Sequence, residues 1–476
     1  MRALILVHRW LGVVLCLFVA MWFATGIVMH FVPFPALSET ERVAGLASFD
    51  PAGVRHGPAA AVKASGLVDA TRVRLQSRSD GWVYLVQGAA GARALHGSNL
   101  TAATIQSEQL ASAIALDHAR QRGIDAPSAV VHAQADYDQW TIPNKFDRHR
   151  PLYRVALNDA AATELYVSSA TGEIVLDTTR RERGWNYAGS VAHWIYPTPL
   201  RRESRAWNAL VWTLSLAALI AASAGAVLGM LRLQATRGRL ASPYRGWQAW
   251  HHWLGLGSMV FVLTWLASGW LSMDSGLIFA TGKPTAAESA KFSGVAAWEQ
   301  LTADEMSSLP AQVREIEWFA FAGRVYRRER LDVASQQLSP AGAAPAATRA
   351  YLQPAEVSAA IARLAPDCSP AAAVAAMDDY PVASAMPRAP VLRARCGEVW
   401  YDVDGASGAL LRKLDASRRT YRWAYGALHT LDFAPLSARP LLRTALIVTL
   451  CGLGLAFSCT ATVIAWRRLR DSLRAR

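Results

Sequence analysis

Four long runs of apolar residues alternate along the chain with long, more polar stretches. A helix that spans a bilayer needs about 20 predominantly apolar residues, and each run reaches that length. The runs cover Leu4–Phe31, Trp207–Leu231, His252–Ile278 and Leu441–Trp466. We therefore predict four transmembrane helices. The first is predicted to be a retained anchor, because its apolar run is about twice that of a signal peptide and no small-residue cleavage site follows it.

Composition and charge support this topology. Of the 476 residues, 52% are hydrophobic and only 18% are charged. Arg2 and Arg9 flank the first run, and the stretch from Arg232 to Trp250 holds four arginines and no acid; the C-terminal tail is also basic. Because short basic loops stay in the cytoplasm, we expect both termini there. The two long segments are then periplasmic in a bacterial inner membrane. This topology and contact with membrane lipids explain the net charge of +13, so a nucleic-acid partner is not predicted.

These assignments divide the chain into eight predicted parts. The transmembrane helices are 1–32, 205–232, 251–278 and 440–466. The periplasmic segments, each with its return segment to the membrane, are 33–200 and 279–438, and the cytoplasmic parts are the loop 233–250 and the tail 467–476.

The first and third helices begin with the same phrase. His8-Arg9-Trp10-Leu11-Gly12 matches His251-His252-Trp253-Leu254-Gly255, and Thr25-Gly26 matches Ser268-Gly269 at the same offset of 243. Before the second and fourth helices, His193 and His429 are each followed by Pro-Leu six and seven residues later. We infer two parallel repeats related by an axis along the membrane normal.

The periplasmic segments show helical and strand patterns in the same order. In the first, a helix at Ser107–Arg122 precedes strands at Ala129–Gln134 and Leu152–Val155 and a hairpin that turns at Gly172. In the second, a helix at Pro354–Leu364 precedes strands at Val391–Arg395 and Glu398–Val403 and a turn through Gly405 and Gly408. Both segments are therefore predicted to be α+β. Cys368 and Cys396 are candidates for a disulfide in an oxidising compartment.

Taken together, these features resemble the PepSY-associated transmembrane (PepSY_TM) family, which includes siderophore-uptake-linked inner-membrane reductases. The matching features are the His-x-Trp-Leu-Gly openings, the Thr-Gly and Ser-Gly pairs, the turns at Gly172 and Gly408, and the return-segment histidines. The resemblance covers essentially the whole chain. It implies two periplasmic PepSY-like domains and a haem b protein. Such a protein carries electrons outward to a ferric siderophore or other ferric chelate and releases Fe(II).

The histidines are the candidate haem ligands. Histidine inside a membrane is costly unless it is paired or ligated, and neutral imidazole is a common axial ligand. His8 and His251 are predicted to hold an inner haem; His252 is the rival of His251 and points about 100° away around the helix. His193 and His429 are predicted to hold an outer haem, with His30 as the alternative. We expect two haems b and assign no other catalytic residue.

No nucleotide-binding motif is present in the cytoplasmic parts, so electrons must come from a separate cytoplasmic donor or from membrane quinol. One alternative remains open. A haem-free PepSY membrane protein that binds or regulates a periplasmic protease, or another partner, fits the same domain pattern.

Overall fold

Four helices in the described part of the chain are long and apolar enough to cross a membrane. The computed structural model describes residues 1–476 except 49, 51–52, 90, 237–238, 277, 302–311, 343–347 and 475–476. Arg237 and Arg476, which belong to the basic flanks predicted to be cytoplasmic, lie outside the described residues.

The helices follow one another in the order α1 (Arg2–Phe31), α2 (Glu39–Ala44), α3 (Pro58–Ser65), α4 (Glu108–Gln121), α5 (Arg180–Asn186), α6 (Thr198–Arg202), α7 (Ser204–Arg232), α8 (Trp247–Ser272), α9 (Ala286–Ser293), α10 (Pro354–Ala362), α11 (Ala416–Tyr421), α12 (Leu428–Thr430), α13 (Ala434–Ser437) and α14 (Pro440–Arg474). Two 3₁₀ turns, Asn144–His149 and Trp298–Gln300, and two π-helical turns, Tyr187–Val191 and Arg422–Ala427, lie between them.

The four long helices α1, α7, α8 and α14 form a bundle. α1 packs against α7 and α14, and α8 packs against the same two helices, so α1 and α8 lie diagonally across the bundle. Phe23, Val262 and Cys451 are buried together in its interior. Large apolar side chains such as Leu17 and Val260 are exposed on its outside. Helices that are apolar all round are typical of membrane spans.

The third span is displaced from its predicted position. α8 begins at Trp247, before the predicted start at 251, and ends at Ser272, before the predicted end at 278. Asp274 has a left-handed φ of 40°, and its carboxylate accepts a hydrogen bond from the backbone N–H of Phe279. The helix therefore ends at this turn although apolar residues continue beyond it. α14, in contrast, extends through the basic tail to Arg474.

The strands are β1 (Arg72–Arg78), β2 (Gly81–Gly88), β3 (Gly91–His96), β4 (Val130–Ala135), β5 (Leu152–Ala156), β6 (Glu164–Ser168), β7 (Ile174–Thr178), β8 (Gln234–Thr236), β9 (Arg239–Ala241), β10 (Glu315–Phe321), β11 (Arg324–Arg330), β12 (Gln336–Pro340), β13 (Ala372–Ala373), β14 (Val391–Cys396), β15 (Val399–Asp404) and β16 (Leu410–Leu414). The short pair β8–β9 lies between α7 and α8.

Two four-stranded antiparallel sheets confirm the α+β character predicted for the two long segments. Their strand orders are β4-β5-β6-β7 and β13-β14-β15-β16. α4 packs on the first through Ala111 and Ala115, and α10 packs on the second through Val357 and Ile361. The hairpin turn at Gly172 has a left-handed φ of 71°, a conformation that glycine adopts without strain.

A six-stranded sheet, which the local sequence patterns do not predict, joins the two halves of the chain. Its order is β12-β11-β10-β1-β2-β3, so each half contributes three strands. β1 and β10 pair antiparallel in the middle, with Val73 opposite Trp318 and Leu75 opposite Ile316. All four of these side chains are fully buried. The two extramembrane segments therefore share one core.

A disulfide links Cys368 to Cys396 and confirms the candidate pair. The other cysteines, Cys16, Cys451 and Cys459, are free and lie in α1 and α14. The disulfide ties the chain after α10 to the end of β14 in the second four-stranded sheet.

Candidate functional site

His8 of α1 and His251 of α8 meet inside the bundle, although their helices are diagonal neighbours. Their ring centroids are 6.2 Å apart and the ring planes are tilted by 37°. We call them the inner pair. The helices that flank them, α7 and α14, supply the groups that hold each ring in place.

The hydrogen bonds of the inner pair define which ring nitrogen carries the hydrogen. Nδ1 of His8 lies 2.9 Å from the carbonyl oxygen of Ala221, which can only accept, so Nδ1 must be the donor. Nδ1 of His251 lies 3.0 Å from Oγ1 of Thr460. That hydroxyl already donates its hydrogen to the carbonyl of Phe457 at 2.6 Å, so it accepts from His251. In the neutral form of either ring, Nε2 would therefore keep its lone pair.

The space beside the inner pair depends on small residues and one aromatic ring. A Cβ at Gly225 would lie 2.4 Å from Cε1 of His8, so only glycine leaves room for the ring there. A Cβ at Gly12, one turn after His8, would meet no other atom within 4 Å. The ring of Phe457 stacks on His251 with centroids 4.7 Å apart.

His252 is held in a different way from its neighbour. Its Nδ1 lies 2.8 Å from Oγ of Ser242, and its Nε2 lies 2.9 Å from the carbonyl oxygen of Gly229. The side chain is buried, and both nitrogens are engaged in hydrogen bonds to the protein. The arrangement indicates a structural role in anchoring the loop before α8, and it leaves no nitrogen free to bind a metal.

His193 and His429 form a second pair at the end of the bundle nearest the sheets. Their centroids are 6.4 Å apart and the ring planes are 70° from parallel. We call them the outer pair. His193 follows β7 through α5 and a π-helical turn, and His429 follows β16 through α11 and a second π-helical turn.

The Thr-Gly and Ser-Gly motifs of the sequence bind the outer pair. Oγ1 of Thr25 lies 2.9 Å from Nδ1 of His193, and Oγ of Ser268 lies 3.0 Å from Nδ1 of His429. Each hydroxyl donates its own hydrogen to a backbone carbonyl of its helix, so it accepts from the histidine. Nε2 again keeps its lone pair in both rings. Gly26 and Gly269 lie against the two rings. A Cβ at Gly26 would lie 3.9 Å from Cε1 of His193, and a Cβ at Gly269 would lie 3.2 Å from Cε1 of His429.

The backbone around the outer pair is unusual in the same way in both segments. A π-helical turn precedes each histidine, a feature frequent at functional sites. Ile195 and Leu431, each two residues after its histidine, have left-handed φ values of 49° and 52°. A β-branched residue such as Ile195 rarely adopts this conformation. The local structure therefore uses strained backbone to place the two rings.

His30 lies at the outer end of α1 but does not join the outer pair. Its Nε2 lies 2.8 Å from Oγ1 of Thr444, and its ring packs edge-on against Phe31. Among the ring contacts of the described residues, His193 pairs with His429 and His30 with neither of them. The geometry favours His193 and His429 over His30.

A layer of aromatic side chains separates the two pairs. Phe23 of α1 contacts Phe261 and Trp265 of α8, at centroid distances of 6.3 and 5.9 Å. Thr25, which binds the outer pair, is 17 residues from His8, or about 26 Å along the helix axis. The pairs thus lie near opposite ends of the bundle with buried aromatic rings between them.

The spacing within each pair fits one metal ion bound by both rings. A metal–imidazole bond is about 2 Å long and a ring nitrogen lies about 1 Å from its centroid, so two opposed ligands separate the centroids by about 6 Å. The observed 6.2 and 6.4 Å agree with this value.

The number of protein ligands also points to a particular cofactor. In the part of the chain that the structure describes, no group of three or more His, Cys, Asp or Glu side chains is placed to hold a metal ion. A structural zinc site uses four protein ligands. Haem iron takes its other ligands from the macrocycle and needs only two from the protein. The residues of both pairs therefore fit a bis-histidine haem.

Comparison with known families agrees with the membrane fold. The profile described as PepSY-associated TM region matches residues 5–468. The chain belongs to this family. The matched range contains both histidine pairs, the three larger sheets, and the four long helices except the start of α1 and the end of α14 in this PepSY-associated TM protein. No curated protein matches the chain significantly.

Several residues around the pairs are not identified as functional by the sequence analysis. The repeated Thr-Gly and Ser-Gly motifs are visible in the sequence, but their link to His193 and His429 requires the fold. Thr460, Gly225 and the carbonyl of Ala221 carry no sequence signal of their own. Ala221 of α7 and Phe457 of α14, whose carbonyls accept hydrogen bonds from His8 and Thr460, differ by 236 in sequence, as His193 and His429 do.

Proposed function

We propose that this protein transfers electrons across the bacterial inner membrane through two haems b and reduces a ferric siderophore or similar ferric chelate in the periplasm. The observation that carries the proposal is the presence of two histidine pairs, with ring centroids 6.2 and 6.4 Å apart and with Nδ1 of every ring bonded to a protein oxygen. They lie near opposite ends of a transmembrane bundle. A single pair would suit a cofactor with a structural role. Two pairs near opposite ends of the bundle suit the transfer of electrons across the membrane.

Each pair has a defined task in this proposal. Haem b bound between the rings would supply reversible one-electron chemistry. The hydroxyls and the carbonyl that bind Nδ1 fix the ring orientation and increase the basicity of Nε2. Phe23 and its aromatic neighbours exclude water from the region between the pairs.

The proposed orientation follows the charges and the disulfide. Arg2, Arg9 and Arg245 flank the end with the inner pair, and basic flanks favour the cytoplasm. The Cys368–Cys396 disulfide belongs to the opposite side and suits the oxidising periplasm. The two halves would then be parallel repeats, with α1 matching α8 and α7 matching α14.

The proposed reaction moves one electron for each iron. A separate cytoplasmic reductant or membrane quinol loses the electron, and Fe(III) in the chelate gains it. The chelator is released unchanged, because hard oxygen ligands hold Fe(II) much more weakly than Fe(III). Only the coordinate bonds to iron are broken, and the covalent bonds of the chelator stay intact.

The visible spectrum of the purified protein tests the proposal. Protein from haem-replete cells should contain two haems b per chain and show a low-spin α-band after reduction with dithionite. Under anaerobic conditions, a ferric chelate should re-oxidise the protein and yield Fe(II), detectable with a ferrous-specific dye. A colourless protein would contradict the proposal and favour the haem-free alternative, in which the extramembrane domains bind a protease or another partner.

The hydroxyl of Ser268 should contribute to the affinity of the outer haem. In Ser268→Ala, His429 loses the hydroxyl that accepts from its Nδ1, and such outer-shell losses cost about 10–100-fold in metal affinity. Haem titration of the apoprotein would measure the change. Ser272→Ala is the matched control, since Ser272 lies one turn after Ser268 in α8 and its hydroxyl donates to the backbone carbonyl of Gly269. Equal affinities in the two variants would contradict the assigned role.

A further inference from the structure

A cavity of about 360 Å³ lies where the central sheet meets the two four-stranded sheets. Its walls come from the segment after α1, from β1 and β11 of the central sheet, from β7, from the 3₁₀ turn Asn144–His149, and from the second half near Asp404 and Ser407. The cavity lies on the sheet side of the molecule, and Leu37 in its wall is only six residues after the end of α1.

The cavity has an excess of positive charge. Seven of its lining residues are arginine or lysine and four are carboxylates. Several of these charges neutralise each other, as in the pairs between Arg74 and Glu173 and between Arg72 and Glu317, and Arg42 pairs with the fully buried Glu315. Burial alone would raise the pKa of Glu173, but Arg74 and its other cationic neighbours lower it to about 2, so this carboxylate is charged.

Three cations of the lining are poorly compensated. Lys145 and Arg148, at the mouth, make no ion pair with any described residue; Lys145 packs on the ring of Phe146 and Arg148 donates to Nε2 of His149. Arg330 is 1% exposed, its Nε has no hydrogen-bond partner among the described residues, and the carboxylate oxygen with which it pairs, on Glu39, is 3.5 Å away. Burial and the nearby Arg328 lower the pKa of Arg330. A buried guanidinium with such long contacts is stabilised by an additional anion.

The cavity wall is connected to the outer pair by apolar packing. Phe146 in the wall belongs to the same buried cluster as Trp140 and Val191, and Val191 is two residues before His193. Phe34 packs against both Trp140 and Trp194, at centroid distances of 5.9 and 5.6 Å. A ligand in the cavity would therefore be separated from the His193 segment by aromatic side chains and not by bulk water.

We infer that this cavity binds the ferric substrate and that this substrate is a small polyanionic chelate whose carboxylates hold the metal. For the reaction that follows binding, the inference rests on the proposed function. The volume is at the lower end for ligand pockets, which suits a compact chelate better than a large macrocycle. The excess of guanidinium groups suits carboxylates, which they bind in a bidentate manner. Neutral hydroxamate chelates lack the charge that this lining recognises.

Binding of gallium(III) citrate tests the inference without any redox step, because gallium(III) is not reduced under these conditions. Titration calorimetry on the full-length protein in detergent should show binding that weakens with increasing salt. The double variant Lys145→Gln/Arg148→Gln should bind at least about 10-fold more weakly. The control Lys63→Gln/Arg120→Gln removes the same charge from exposed positions outside the cavity and should bind like the unmodified protein.

Four results would overturn the inference. They are no binding of gallium citrate, equal affinity in the two double variants, equally tight binding of a neutral gallium hydroxamate, and equally tight binding of metal-free citrate, which would show a site for free carboxylates instead. The redox proposal is tested separately. Binding of gallium citrate together with failure to reduce ferric citrate would support the cavity assignment and contradict the proposed reaction.

Discussion

Replacing His429 with alanine is expected to remove the outer haem and to reduce the rate of ferric chelate reduction by at least about 100-fold, since even outer-shell changes cost about 10–100-fold in metal affinity. His429 supplies one of the two Nε2 lone pairs of the outer pair. The inner pair is untouched, so dithionite should still produce the α-band of one low-spin haem b. Haem content per chain and the rate of Fe(II) formation measure the two effects.

His30→Ala is the informative control for this variant. His30 lies at the same end of the bundle, but its Nε2 contacts the hydroxyl of Thr444 and not a second imidazole. Its removal should leave two haems per chain and a reduction rate within a few-fold of the unmodified protein. Loss of the outer haem in His30→Ala, with retention in His429→Ala, would reverse the assignment of the outer ligands.

The second large effect is expected at the inner pair, where two adjacent histidines can be compared. His251→Ala should remove the inner haem and block reduction of the remaining haem by a physiological donor from the cytoplasmic side. His252→Ala should retain both haems, because both nitrogens of His252 bind protein oxygens. Haem quantification and the kinetics of haem reduction distinguish the variants.

Circular dichroism would show whether His252→Ala disturbs the start of α8, since this variant loses the hydrogen bonds to Ser242 and Gly229. The predicted inner site would be contradicted if the folded His252→Ala protein contained one haem and the His251→Ala protein contained two haems.

Local sequence patterns are sufficient to predict much of the fold. The apolar runs identify all four long helices, because length and composition decide a membrane span. The helix α4 and the strands β4–β7 follow from periodicity and from the glycine turn at 172. The end of α8 at Ser272 does not, because Asp274 terminates the helix within a run that remains apolar.

The central sheet is not predicted because its pairing is distant and its burial is unusual. β1 and β10 are more than 200 residues apart in sequence, so no local pattern records their contact. β10 and β11 also bury charged residues, among them Glu315 and Arg330, which a binary pattern assigns to the surface. Their burial depends on ion pairs such as that between Arg42 of α2 and Glu315 of β10. These residues come together only in the folded protein.

The candidate site is partly visible in the sequence. The matching offsets associate His8 with His251 and His193 with His429, and the structure brings these rings together. The sequence leaves His252 and His30 as alternatives, because helix phase alone does not show which nitrogen is already bonded. That choice depends on Gly229, Ser242 and Thr444, whose contacts with these histidines arise only in the folded bundle.

The strand pairing between β1 and β10 has a consequence for assembly. Each histidine pair takes one ring from each half of the chain, and the central sheet takes three strands from each half. Neither half could complete a pair or cover its edge strand when alone. The protein is therefore organised like a two-subunit complex. The connection between α7 and α8 joins the two subunit-like halves covalently. Because both halves belong to one polypeptide, they are always present in equal amounts.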